Sequence, residues 1–223
     1  MSNSIARHWI DGGWVTSDRV SPSINPSDGE ILGRFADGGA KEASAAISAA
    51  RRAFDTGTWS SDRSARAAAL VELAHRLEER VDRLATSEAR EMGKVITQTR
   101  WEAAASAQTI RYNAGAALSQ TGITAEQAPG ILASTWREPI GVAGIIVPWN
   151  APLALLTRGL GPALAAGCTV AIKMPGQTAL TNAIFAEAVA ATESLPKGVV
   201  NMFTETGNEG APLLVASVDV DAI

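Results

Sequence analysis

The chain has 223 residues, room for one large domain or two small ones. Hydrophobic residues make up 46% and charged residues 19%, the proportions of a globular protein with a real core. A formal charge of −4 with no basic run argues against nucleic acid as a partner, and a single cysteine fits a reducing, cytoplasmic compartment.

The first stretch, "MSNSIARHWIDGGWV", lacks the apolar h-region of a secretory signal. Within residues 8–36 short strands and turns are expected, with "HWIDGGWV" as a hairpin about Asp11-Gly12-Gly13. Residues 41–55 are Ala-rich with an apolar face, which predicts a helix. From Asp62 to Glu91, Leu70, Leu73, Leu77, Val81 and Leu84 recur at spacings of three and four, marking one helical face. Gly93 is placed to cap that segment. Another helix is expected from Thr97 to Leu118, its stripe of Ile110, Ala114 and Leu118 belonging to the core. Residues 119–140 read as an arm of two extended pieces joined by Ala128-Pro129-Gly130, suited to pairing with another subunit or domain.

From Gly141 the pattern becomes β-α-β-α-β. The strands are "VAGIIV" (142–147), "CTVAIK" (168–173) and "VVNMF" (199–203), with helical composition between them. This predicts a parallel sheet with right-handed crossovers, whose ligands sit beyond the carboxyl ends of the strands. Those ends carry Pro148-Trp149-Asn150, Lys173, and Thr204 to Gly207. A rigid amide, a cation and a Gly-bearing turn therefore converge on one edge. "VVNMF" should be left as an unpaired sheet edge. The longest mainly apolar run, "LGPALAAGCTVAI", is too short to cross a bilayer, so no membrane association is expected.

Each of these residues also has a plain reading. Asn150 between two prolines can be a turn residue bonding its own backbone, and Lys173 a surface lysine ending a strand. Arg158 belongs by default to a solvated helix face. Cys168 begins an apolar strand at the end opposite Asn150, with no flanking His or Arg to lower its pKa, and reads as a buried structural thiol. His8 and His75 have no ligand-spaced partners, so no metal site is expected. The G-x-G-x-x-G dinucleotide fingerprint does not follow any of the strands.

The run "REPIGVAGIIVPWNAPL…LGPALAAGCTVAIKMPGQTALT…LPKGVVNMFT…DVDAI", with "WIDGGWV", "INPSDGEILG", "AARRAFD" and "EMGK" before it, resembles the NAD(P)-dependent aldehyde dehydrogenase superfamily. The resemblance covers essentially the whole chain. It implies an α/β fold with a parallel Rossmann-like sheet, flanking helices, N-terminal strands and an extended oligomerisation arm, incomplete as an aldehyde dehydrogenase fold. The cofactor-binding domain would comprise residues 1–118 and 141–223 and the arm 119–140, with the catalytic domain absent. Asn150 would donate to the oxyanion of a cysteine thiohemiacetal. Ile146, Val147, Pro148 and Trp149 would line the groove for NAD or NADP. Lys173 would contact the adenosine ribose, Gly176 would lie beside it, and Gly207 would sit near the adenine.

By the same resemblance the cysteine nucleophile, the glutamate base and a Gly-Ser turn under the pyrophosphate would lie beyond the position matching Ile223. The substrate would be a small-molecule aldehyde, and the complete enzyme a homodimer or homotetramer. Three departures stand out: Gly176 where many members carry Glu, Arg158-Gly159 where a Trp-Lys pair is common, and Glu205 in place of the first turn glycine. Gly176 implies that NADP is accepted at least comparably to NAD. A non-catalytic nucleotide-binding or assembly module is the alternative. Among related enzymes on the same fold, "PWN" points to the hydrolytic class rather than an acylating or acyl-phosphate-reducing one.

Overall fold

Asp11 and Gly12 take φ of 54° and 71°, closing a tight hairpin between β1 (His8–Ile10) and β2 (Gly13–Val15) as the sequence predicts. The computed structural model describes residues 5–223. Residues 1–4, the start of the stretch read for a secretory signal, lie outside the described residues. A second ribbon pairs β3 (Val20–Ile24) with β4 (Ile31–Ala36).

Four helices follow. The first, α1 (Ala40–Thr56), begins where Glu42 accepts a hydrogen bond from the Gly39 N–H, and it buries Ala43, Ala46, Ile47 and Ala50. The next, α2 (Arg63–Glu78), is capped by Asp62, whose carboxylate accepts from Ala65 N at 2.9 Å. The single helical face expected over 62–91 is instead carried by α2 and α3 (Val81–Met92). Glu79 and Arg80 break the axis, the Arg80 N–H bonding Leu77 O in a tightened last turn. Leu70, Leu73, Leu77 and Leu84 all reach the core across this bend. The spacing found the right residues, but periodicity is blind to a bend that keeps the apolar side inward.

Gly93 ends α3 with φ 69°, as predicted. In α4 (Ile96–Ser119) Ile110 and Ala114 are buried, but Leu118 is 59% exposed. It lies on an open groove between α2 and α4 beside Ala68 and Val71, so the stripe outruns its partner helix there. The arm is a hairpin of β5 (Thr124–Ala128) and β6 (Ile131–Ser134), turned by Gly130 at φ 78°. Ile131, Leu132 and Trp136 stand exposed along it.

The main sheet contains β7 (Val142–Ile146), β8 (Thr169–Pro175) and β9 (Val200–Glu205), mutually parallel. The crossovers are α5 (Pro152–Ala166) and α6 (Ala179–Ala190), the latter entered through a 3-10 turn at Gly176–Thr178, and α7 (Gly210–Ala216) follows β9. Val170, Ile172 and Met202 face Leu156, Leu160 and Phe185 of the crossover helices. The other face sets Val142, Ala171 and Phe203 against Ile47 of α1 and Leu214 of α7.

Strand order is β2-β1-β9-β8-β7, a mixed sheet. The unpaired edge expected at β9 is therefore closed by β1, which runs antiparallel to it with Trp9 opposite Met202. The Thr204 N–H donates to His8 Nδ1 at 3.1 Å, and the Asp11 N–H to Asn201 Oδ1 at 2.9 Å. The edge strands are β2 and β7, and at β7 Ala222 forms a parallel bridge with Ala143 and accepts from Gly144 N at 2.8 Å.

Candidate functional site

The last ladder bond of β7 runs from the Val147 N–H to Lys173 O at 3.0 Å. Pro148 then has no N–H to offer, so the chain leaves the sheet at that residue. Trp149 and Asn150 form an exposed bend, and Pro152 is the first residue of α5, where its ring fixes a helical φ. The two prolines thus have different tasks: one stops the strand and the other starts the helix. Asn150 is held between them, and its carboxamide makes no hydrogen bond among the described residues. The Val147 side chain turns into the core, so Ile146, Pro148 and Trp149 are the residues of this segment whose side chains face outward.

Lys173 lies level with Ile146 on one side and Phe203 on the other. It is half-buried and has no ion-pair partner among the described residues. Three residues on, Gly176 is buried at the start of the 3-10 turn. A Cβ there would sit 2.6 Å from Thr206 Oγ1 and 3.0 Å from Thr206 Cα. Glycine at 176 lets the turn after β8 press directly against the turn after β9.

Buried carboxylates fix both turns. Asp37 accepts from the Thr206 N–H at 2.8 Å and from Ser21 Oγ at 2.7 Å, with Arg19 Nε at 3.4 Å. Burial pushes this carboxyl up, but the bonds from Ser21 and Thr206 and the charge of Arg19 outweigh it and hold its pKa below the ordinary value. Glu205 is buried beneath the start of α7 and accepts from the N–H groups of Glu209 and Gly210. Its carboxylate thereby caps the start of α7 from within. Glu91, at the end of α3, accepts from Leu180 N and Thr181 N at 2.8 Å each and from Thr181 Oγ1 and Ser23 Oγ at 2.7 Å each. It caps α6 from a different helix. Gly207 is exposed, with open room around its Cα.

Asn150, Lys173, Gly176 and Gly207 are thus all at the carboxyl edge of the parallel strands, as the sequence pattern implies. Cys168 is at the other end of β8, buried, its carbonyl accepting from Trp59 Nε1 at 3.0 Å. Arg158 lies exposed on α5. A cleft of about 480 Å³ between α3 and α6, lined by Leu32, Thr86, Arg90, Leu180 and Ile184, includes none of the edge residues. Sequence reading missed Asp37 and the bonding role of Glu91. "FADGG" carries no motif, and "EMGK" marks the resemblance without showing what its glutamate bonds.

The profile of the aldehyde dehydrogenase family matches residues 14–223. An aminoacetaldehyde dehydrogenase of Pseudomonas aeruginosa is 40% identical over 212 residues, covering 93% of this chain and 42% of that protein. Aldehyde dehydrogenase 1 of Tanacetum cinerariifolium is 37% identical over 219 residues, covering 96% of this chain and 44% of that protein. Among solved structures, an NAD+ complex of an aldehyde dehydrogenase from Bacillus cereus superposes with a TM-score of 0.93 at 31% identity, over 98% of this chain and 45% of that one. The chain spans less than half the length of the curated relatives it matches. With sequence profile, relatives and fold in agreement, the chain belongs to the aldehyde dehydrogenase family.

Proposed function

We propose that this chain forms part of an enzyme that oxidises an aldehyde to a carboxylic acid with NAD+ or NADP+, contributing most of the cofactor-binding domain and one catalytic donor. The observation that carries the reading is Asn150: an exposed amide without a protein partner among the described residues, on a bend held by Pro148 and Pro152. A donor fixed in this way needs no reorganisation when negative charge develops on the substrate oxygen.

The edge also fits a dinucleotide. Ile146 and Trp149 offer apolar surface, Lys173 is a cation without an ion-pair partner among the described residues, and Gly207 allows close approach. When bound, the cofactor accepts the hydride. This chain's residues would orient it: Lys173 by bonding ribose hydroxyls, and the turns at Gly176 and Gly207 by flanking the adenosine. Cys168 cannot supply the nucleophile because it is buried at the far end of β8. The thiolate and the hydrolytic base would come from residues outside 1–223. The exposed Ile131, Leu132 and Trp136 suit the arm to pairing with another subunit, as a dimer or tetramer.

The test is NAD(P)H production from several aldehydes by purified 1–223 and by a longer product of the same gene. Activity is expected only from the longer protein. Turnover by 1–223 that disappears in Cys168→Ala would refute the assignment.

A further inference from the structure

Lys94 lies in the link between α3 and α4, where its ammonium bonds Glu102 Oε1 at 2.6 Å and Glu88 Oε1 at 3.1 Å. Glu88 of α3 is completely buried and Glu102 of α4 nearly so. With both carboxylates ionised, the cluster would hold one cation against two anions in the interior. Two of its oxygens, Glu88 Oε2 and Glu102 Oε2, are buried without a hydrogen-bond partner among the described residues. An orphaned buried oxygen costs about 1–3 kcal/mol, and more when it is charged.

A single proton held by the pair of carboxyls would remove both faults. It makes one carboxyl a donor to the other and brings the cluster to neutrality. Among the described residues no cation other than Lys94 is paired with either carboxylate. On α3, Glu91 is turned to the start of α6, Arg83 pairs with Glu187 of α6, and Asp82 pairs with Arg100 of α4. On α2, Glu72, Arg76 and Glu78 are engaged in ion pairs at the surface, and His75 lies 3.3 Å from Glu78. Arg66 serves backbone carbonyls, while Arg80 just beyond α2 bonds Arg76 O and Glu79. On α5, Arg158 is exposed.

We propose that Glu88 and Glu102 share one proton in the native protein, so that the α3–α4 joint is a latch released by proton loss. The local energetics agree. Burial, followed by the hydrogen bond and charge of Glu102, pushes Glu88 up to about 7 against the pull of Lys94. The joint is well placed to matter. On one side α4 packs against α5, which begins at the Asn150 bend, and on the other Glu91 of α3 holds α6 beside Gly176. The proposal does not depend on the enzymatic reading.

The test compares folding constants of wild type and Glu88→Gln by urea unfolding of the 223-residue chain between pH 6 and pH 8.5. The amide keeps the latch neutral at every pH. The ratio of the variant's constant to that of wild type should therefore rise roughly tenfold across this range. Using a ratio removes contributions from other titrating groups. Should Glu88→Gln fail to fold, infrared spectra of wild type serve instead, showing a protonated carboxyl C=O band at pH 6 that fades by pH 8.5. A ratio level with pH, or no such band, would overturn the proposal.

Discussion

His8 is a second proton-sensitive joint, and its sign is opposite to that of Glu88. Its Nδ1 accepts the Thr204 N–H at 3.1 Å, so Nδ1 must be unprotonated, and Nε2 lies 2.6 Å from Ser17 Oγ. Protonation would set two donors facing each other at the junction of β1 and β9. Burial lowers the His8 pKa from 6.5 to about 4, against the raising influence of Glu42 and then Asp37. The unfolded chain thus takes up the proton first. Stability from this site is complete above about pH 6.5, falls as pH drops towards 4, and is constant below that. The loss at pH 5 is about 2 kcal/mol, and its limit is about 3 kcal/mol.

Glu88 runs the other way. Its folded pKa is raised from 4.5 to about 7, so its stabilisation is full below 4.5 and is lost as pH rises through 7. Between pH 5 and pH 8 that loss is about 2 kcal/mol, close to what His8 regains over the same range. In the wild-type chain these two contributions should nearly cancel there, and the two variants should separate them. Relative to wild type, His8→Gln, whose side-chain oxygen can still accept from Thr204, should lose about 2 kcal/mol from pH 5 to pH 8. Relative to wild type, Glu88→Gln should gain about 2 kcal/mol from pH 5 to pH 7. Urea unfolding followed by tryptophan fluorescence, on a chain with six tryptophans, measures both. If His8→Gln keeps the wild-type profile, the assignment of opposed proton linkages is wrong.

Three further outcomes are expected. Gly176→Ala should destabilise the chain by about 1–3 kcal/mol in thermal or urea unfolding, because its Cβ overlaps Thr206, and Thr206→Ala in the same chain should recover part of the loss. Asn150→Ala in the longer enzyme should lower kcat about 10²–10³-fold while leaving cofactor affinity and the unfolding midpoint near wild type, since the side chain is exposed; a normal kcat with weak NAD(P)+ binding would show another role. Arg66→Met should cost about 3 kcal/mol or more in urea unfolding, because the buried guanidinium serves the carbonyls of Trp59, Ser60 and Ala165 at once; a loss within 0.5 kcal/mol would contradict that count.

Much of this architecture is legible in the sequence because local signals and tertiary need coincide. The Asp11-Gly12 turn, the Gly93 cap and the three parallel strands each rest on a residue type or spacing that only one local structure satisfies. What the sequence conceals are pairings between distant segments. Nothing in "HWI" announces that β1 will cover β9, because an antiparallel neighbour leaves no trace in a strand's own alternation. The bend at Arg80 is hidden because the leucine stripe continues through it. Asp37 and Glu91 are hidden because a buried carboxylate is recognised by the N–H groups it meets, which lie 169 residues away for Asp37 and 89 and 90 away for Glu91.

Gly176 shows how the fold can add a second role to the one a resemblance implies. From sequence it is a missing carboxylate, and the absence implies tolerance of the 2′-phosphate of NADP+. In the fold it is a contact, because Thr206 occupies the space that any side chain at 176 would enter. Gly176→Glu would therefore disturb the turn before it could reach a ribose, and its effect on cofactor choice could not be read as electrostatics. The charges that do stand at this edge are already placed. Glu205 is committed to the start of α7, and Asp37 to Thr206 and Ser21. Their hydrogen bonds hold both carboxylates within the fold rather than leaving them free to turn toward a ligand. Lys173 is half-buried and has no ion-pair partner among the described residues. Under the proposed cofactor reading Lys173 would be the charged group that meets a ribose or phosphate, and the glycine contributes by holding the two turns in register.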